Sequence, residues 1–167
     1  VKGDVEERCG VVLSVDSKTG EILIKSRGSV SEGQPFKAKE VVTAIGRGFS
    51  PERAFRLLEE DIMLDILDLR DYSGKSENAL ARIKGRIIGL GGKSRRIIEE
   101  LTSSLISVYG HAVAIIGRVE DARQAREAIE MLASGSPHHV VYKKLQRART
   151  KAKIERLKLW EEVPSGQ

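Results

Sequence analysis

The chain has 167 residues, 40% of them hydrophobic and 32% charged, with a net charge of +5. That is enough apolar material for one ordinary domain or two small ones, and no apolar run approaches the roughly 18 residues of a membrane span. The opening Val1-Lys2-Gly3-Asp4 has no signal-peptide pattern, and the single Cys9 gives neither an internal disulfide nor a metal cluster, so a cytoplasmic protein that needs no cofactor is expected.

In chain order, Val1 to Arg8 reads as the remainder of a helix closing at Gly10. Val11–Val15 and Glu21–Lys25 are apolar and β-branched around Asp16-Ser17-Lys18-Thr19-Gly20, which predicts a β-hairpin. Gly28 to Pro35 is a polar loop. Phe36 to Ile45 has helical spacing (Ala38, Val41, Val42, Ile45) and ends at Gly46 and Gly48. Ser50-Pro51 predicts an N-cap opening a helix through Leu58. Ile62 to Leu69 reads as a strand, and Ser76 to Ile88 as a helix with Leu80, Ile83, Ile87 and Ile88 on its apolar side. Gly89-Leu90-Gly91-Gly92 breaks it, and Lys93 to Thr102 resumes a helix. Leu105–Val108 and Ala112–Ile116 are short strands joined at Tyr109-Gly110-His111. Val119 to Leu132 is helical. Ser136-Pro137 starts a last helix that runs to about Trp160, expected to pack on the first half over its first turns.

The two halves repeat: strand, turn, strand, helix, glycine, Ser-Pro, helix, with Gly48-Phe49-Ser50-Pro51 in the first and Gly135-Ser136-Pro137 in the second. The expected division is 1–59, 60–135 with the glycine loop, and 136–167 as a basic helix and tail. The first copy lacks the strand, helix and glycine loop that open the second; the sequence is expected to start inside a domain, and any glycine loop of the first copy would lie before Val1.

The positive charge is clustered. Six basic residues and no acid lie between Arg82 and Arg96 (Arg82, Lys84, Arg86, Lys93, Arg95, Arg96), and eight against Glu155 lie between Lys143 and Lys158. The second run suits a solvated helix face or an anionic partner. The first surrounds Gly89-Leu90-Gly91-Gly92. Glycine lacks Cβ, so a loop of this kind lets a sugar-phosphate chain approach closely, and the helix that follows turns its positive pole toward phosphate. The candidate RNA-binding residues are Arg82, Lys84, Arg86, Ile87, Ile88, Gly89, Leu90, Gly91, Gly92, Lys93, Ser94, Arg95, Arg96 and Ile106. Ile87, Ile88 and Ile106 are candidates for the apolar floor of a groove against Leu105–Val108, while Ile97, Ile98 and Leu101 read as core.

Strand, helix, GxxG loop, helix, strand, strand, helix, with Ile87-Ile88-Gly89-Leu90-Gly91-Gly92-Lys93 at the helix–helix joint, resembles a type I KH domain. The implied fold is α+β: tandem KH domains, each a three-stranded antiparallel sheet with helices packed on one face, the first incomplete at its N-terminus, plus a long C-terminal helix. In KH domains this loop clamps about four backbone nucleotides. Arg86 to Ser94, Ile98-Glu99, Val113 to Gly117, Ala125 to Ile129, Gly135-Ser136-Pro137 and Val141-Tyr142 further resemble the KH proteins of small-subunit ribosome assembly, of the Partner of Nob (Dim-two) type, with the Krr type a near relative. The compact length suggests the archaeal form. The resemblance implies binding near the 3′ end of small-subunit ribosomal RNA, beside the Nob-type endonuclease that trims it, and a link to the α subunit of translation initiation factor two.

Two other readings compete. Gly92-Lys93-Ser94 imitates the end of a P-loop, but its leading glycine should fall at Ile87 and a strand should precede it. His111, His138 and His139 are expected to face solvent; adjacent histidines diverge by about 100° on a helix. Asp65, Asp68 and Asp71 have no matching ligands, and neither catalytic nor metal residues are expected. A scaffold that binds only protein, with degenerate KH folds, is the alternative. Scarce aromatics, at 4%, argue against an RRM, whose strands need stacking rings.

Overall fold

The computed structural model describes residues 1–28 and 34–161, the side chain of Glu161 excepted; most of the expected loop between Gly28 and Pro35 lies outside them. Helix α1 (Lys2–Cys9) closes on Gly10, whose φ of 63° is left-handed. Strands β1 (Val11–Val15) and β2 (Ile22–Ser26) pair antiparallel, Val11 opposite Ser26. Their turn is held by the Asp16 carboxylate, which accepts from the Lys18 N–H at 2.8 Å. Helix α2 (Pro35–Gly46) buries Ala38, Val41 and Ala44. Ser50-Pro51 opens only a four-residue α3 (Pro51–Ala54), followed by a 3-10 turn over Phe55–Leu58. The expected single helix through Leu58 is thus divided, as Leu57 turns into the core and Glu59 becomes extended.

In the second unit β3 (Ile62–Asp68), β4 (Leu105–Tyr109) and β5 (Ala112–Arg118) form an antiparallel sheet of order β3-β5-β4. Four residues, Arg70–Ser73, form a short α4 that the sequence pattern did not disclose. Helix α5 (Glu77–Ile88) starts at Ser76, whose hydroxyl accepts from the Ala79 N–H at 3.2 Å. Then come α6 (Lys93–Thr102), α7 (Val119–Ala133) and α8 (His138–Glu161).

Alternation along the strands divides the core in two. Leu67, Ile106, Val113 and Ile115 face α5, α6 and α7, packing with Ile83, Ile87, Ile98, Ile129 and Leu132. Ile62, Ala114 and Ile116 face the opposite way and pack with Val41, Ala44, Phe49, Ala54 and Leu57 of the first unit. Helices α5, α6 and α7 thus pack on one face of the sheet, as expected of a KH fold, and the first unit covers the other face. An antiparallel sheet with one wet face shows polar residues at alternate positions; β5 instead is buried at every residue from Ala112 to Gly117.

The long helix also differs from expectation. Val141 and Leu145, one turn apart, enter the core with Ala128 and Leu132 of the second unit, not the first half. From Arg149 to Trp160 the side chains of α8 are exposed. No helix among the described residues is long and apolar enough to cross a membrane.

Candidate nucleic-acid interface

Three of the four loop residues have backbones that other residues rarely adopt: Gly89 at φ 73°, ψ 174°, Gly91 at 57°, 24° and Gly92 at 78°, 13°. Their reasons differ. A Cβ on Gly89 would lie 2.7 Å from the Ser94 backbone nitrogen and from its Cβ, so the chain must cross itself closely here. Gly91 has nothing within 4 Å, and Gly92 only the end of Arg95 at 4.0 Å. The outer half of the loop is open backbone. Leu90, at its tip, is 95% exposed.

Helix α6 begins behind this loop with no side-chain cap and no acid in its first turn. Its first turn carries Lys93, Arg95 and Arg96 instead. Cations at a helix N-terminus oppose the macrodipole, each by a few tenths of a kcal/mol or more. Such an arrangement is unfavourable within the protein alone and becomes favourable when an external anion sits before the helix. Lys93 and Arg96 are exposed, while Arg95 is half-buried and reaches the Ile106 carbonyl at 3.4 Å.

The other expected contacts are distributed differently. Ile87 and Ile106 are 0% exposed and belong to the core beneath the groove, leaving half-buried Ile88 as the only one of the three with accessible surface. Ser94 is 3% exposed, and its hydroxyl is buried without a hydrogen-bond partner under Gly89. The Arg86 guanidinium donates to the carbonyls of Leu132 and Ser136, which close the C-terminal end of α7. It secures α5 to the α7–α8 joint, sharing the Leu132 carbonyl with the Gly135 N–H, so its guanidinium is engaged within the protein. His138, expected in solvent, lies 2.8 Å from the Arg86 carbonyl through Nε2. Arg82 is exposed on α5. Lys84, about one turn before Ile88 on the same helix, lines a cleft of about 610 Å³ with Gly110 and His111.

A bridge across the groove was not foreseen. β4 is an edge strand, and the outward N–H of Ile106 donates to Glu99 Oε1 of α6 at 2.7 Å. Arg53 of the first unit lies 3.5 Å from the same oxygen, and Glu99 is 12% exposed. The only available signal was an acid following a basic run; the link to Arg53 joins distant parts of the chain. The acids of β3 are structural: Asp65 pairs with Arg126 at 2.6 Å, and Arg70 holds the Asp68 carboxyl well below the usual carboxylate range. Among the described residues no group of three or more His, Cys, Asp or Glu is placed to hold a metal ion. A helix, not a strand, precedes Gly89, so the loop is not built as a P-loop.

Residues 63–150 match the family model for the second KH domain of PNO1, a eukaryotic-type (type I) KH domain. The chain is 44% identical over 163 residues to a KH domain-containing protein of Methanocaldococcus jannaschii, covering 96% of this chain and 70% of that protein. It is 31% identical over 144 residues to the pre-rRNA-processing protein pno1 of Schizosaccharomyces pombe, covering 86% of this chain and 59% of that one. A chain in the crystal structure of the a/eIF2alpha–aDim2p–rRNA complex of Pyrococcus horikoshii superposes with a TM-score of 0.82 at 46% identity, over 90% of this chain and 82% of that chain.

Proposed function

The chain belongs to the PNO1/Dim2 family of KH proteins, and from that footing we propose that it binds single-stranded RNA near the 3′ end of small-subunit ribosomal RNA during pre-rRNA processing. The observation that carries this reading is the conjunction at α6: three cations set against the helix dipole beside main chain that nothing covers. Phosphate supplies the missing negative charge, and glycine lets it come close. Gly91, Gly92, Lys93 and Arg96 form the grip, with Arg82, Leu90 and Ile88 at its margins and Gly89 and Ser94 shaping the loop from below.

The relatives support the choice of RNA. One is described as a pre-rRNA-processing protein, and another structure pairs aDim2p with rRNA and a/eIF2alpha. The α subunit of translation initiation factor two and a Nob-type endonuclease are accordingly proposed as protein partners. The role is non-catalytic: the protein holds RNA for others to cut.

The test is titration of the chain with short single-stranded RNA from the 3′ end of small-subunit rRNA. Micromolar or tighter binding is expected, with log K falling linearly against log salt. Gly91→Asp with Gly92→Asp places two carboxylates in open space where phosphate would lie, and Asp tolerates left-handed backbone better than most residues. Affinity should fall by about 100-fold, near 2.7 kcal/mol, with the fold retained and stability lowered modestly, since both positions hold a positive φ. Normal binding by that folded double variant would remove the loop from the interface, and a wild-type chain inert to RNA at low salt would leave only the protein-binding reading.

A further inference from the structure

The loop is not the only place where cations lack acids. The end of α6, the start of α7 and the outer turns of α8 enclose a cleft of about 450 Å³. Helix α8 contributes Arg149, Lys153 and Arg156. Their spacing of four and three residues puts them on one helix face. Elsewhere along this helix Lys144 pairs with Glu127 at 3.0 Å and Lys151 with Glu155 at 3.9 Å. Among the described residues, no such ion pair includes Arg149, Lys153 or Arg156.

The cleft's own negative charge does not match them. Asp121 is its one acid, and Arg118 and Arg156 both act on it. The C-terminal pole of α6 adds roughly half a negative charge. Three cations therefore leave a surplus of more than one positive charge in a concave site. The lining holds no aromatic side chain, and Leu101 and Ala152 are its only aliphatic residues. Protein interfaces rest on buried aromatic and apolar anchors, and base recognition in single strands on stacking. Neither is provided. Arginine forks and an ammonium group suit phosphate oxygens.

Helix α6 links this cleft to the loop. It starts at the loop cations and ends where the cleft begins, ten residues later, about 15 Å at 1.5 Å per residue. We propose that the cleft is a second phosphodiester subsite, which holds the backbone of an RNA strand whose other part is clamped at Gly91 and Gly92. The proposal rests on the loop reading above. It makes the subsite indifferent to sequence and effective only for RNA longer than the loop itself engages.

The experiment uses the full chain, its Arg149→Ala/Lys153→Ala/Arg156→Ala variant and the Gly91→Asp/Gly92→Asp variant. Each is titrated with an RNA of about four nucleotides, the length a KH loop engages, and with one roughly three times longer, over a range of salt. The triple variant should bind the short RNA as the wild type does. It should bind the long one about tenfold more weakly, with a slope of log K against log salt flatter by up to about 2, since each phosphate contact on a single strand contributes roughly 0.7. Wild-type affinity of the triple variant for the long RNA would overturn the subsite, as would an equal loss for both lengths. Polyglutamate serves as the probe for an acidic protein: if its binding alone depended on the three cations, the cleft would belong to a protein partner and the proposal would fall. The double aspartate variant separates the two ideas. Undiminished binding of the short RNA by it refutes the loop, whereas loss of the short RNA with weak binding of the long one that depends on the three cations supports both.

Discussion

Gly48 and Gly91 share a left-handed backbone, at φ 92° and 57°, but stand in opposite surroundings. Gly48 joins the first unit to the second. A Cβ there would come within 2.9 Å of Ser107 Oγ and 3.2 Å of Tyr109 Cβ, and Ser107 Oγ donates to the neighbouring Arg47 carbonyl at 2.8 Å. Gly91 faces open space. The first glycine is demanded by the protein's own packing. The second is not, and beside it stand Lys93, Arg95 and Arg96, which form no ion pair among the described residues. Small residues at a close approach within the fold report on stability; small residues at an open turn among unpaired charges report on a ligand.

The comparison breaks most visibly at Gly48. Alanine there must adopt a positive φ, costing about 1 to 2 kcal/mol, and must push Ser107 or Tyr109 aside, which adds to it. Gly48→Ala should lower stability by about 2 to 3 kcal/mol in urea denaturation. Its folded fraction should bind RNA normally. Loss of RNA affinity without loss of stability would mean that the joint between units, and not only the loop, meets RNA.

The same contrast explains what the sequence disclosed. The strands, the principal helices and the glycine loop followed from local signals: β-branched runs, helical spacing at Ala122, Ala125, Ala128 and Ile129, and Ser76 ahead of α5. The second covered face of the sheet was harder. Ala112 to Gly117 is a continuous apolar run, which fits a strand buried on both sides, but the run does not say which segment lies on the outer face. Arg86 belongs to the same basic cluster as Lys93 and Arg96, and only the fold brings the end of α7 to it. Ile87 and Ile106 were read as groove floor because the pattern marks an apolar position without its depth.

Arg86 and the α6 cations give the next test. Arg86→Ala leaves the Leu132 and Ser136 carbonyls without a charged donor, and such bonds contribute about 1.5 to 3 kcal/mol. Thermal or urea unfolding should show a loss near 2 kcal/mol, with RNA affinity unchanged in the folded protein. Replacing Lys93, Arg95 and Arg96 by Ala should do the reverse: stability held or slightly raised as the dipole conflict is relieved, RNA affinity lowered by about tenfold for every sequence, and the salt slope flatter by about 2. If Arg86→Ala weakened RNA as much as the triple variant while remaining equally stable, its assignment as a clamp would fail.

The smallest effect concerns Glu99, one of the two acids that follow those cations on α6. Glu99 takes the outward N–H of Ile106, and Arg95 its carbonyl, so two side chains of α6 occupy the free edge of β4. A base laid against that edge must displace them. Glu99→Ala removes a partly buried acceptor and should cost about 1 kcal/mol of stability, at the low end for a charged hydrogen bond. It also removes a negative charge from the face proposed to meet phosphate and frees the Ile106 amide, whose hydrogen exchange should quicken. RNA binding at low salt should tighten by a few-fold, on the order of 0.5 kcal/mol, and Glu99→Gln, which keeps an acceptor oxygen, should fall between. Weaker binding by Glu99→Ala would reverse the interpretation: the carboxylate, held by Arg53 from the first unit, would then be touching RNA itself, and the first unit would act on the ligand through it.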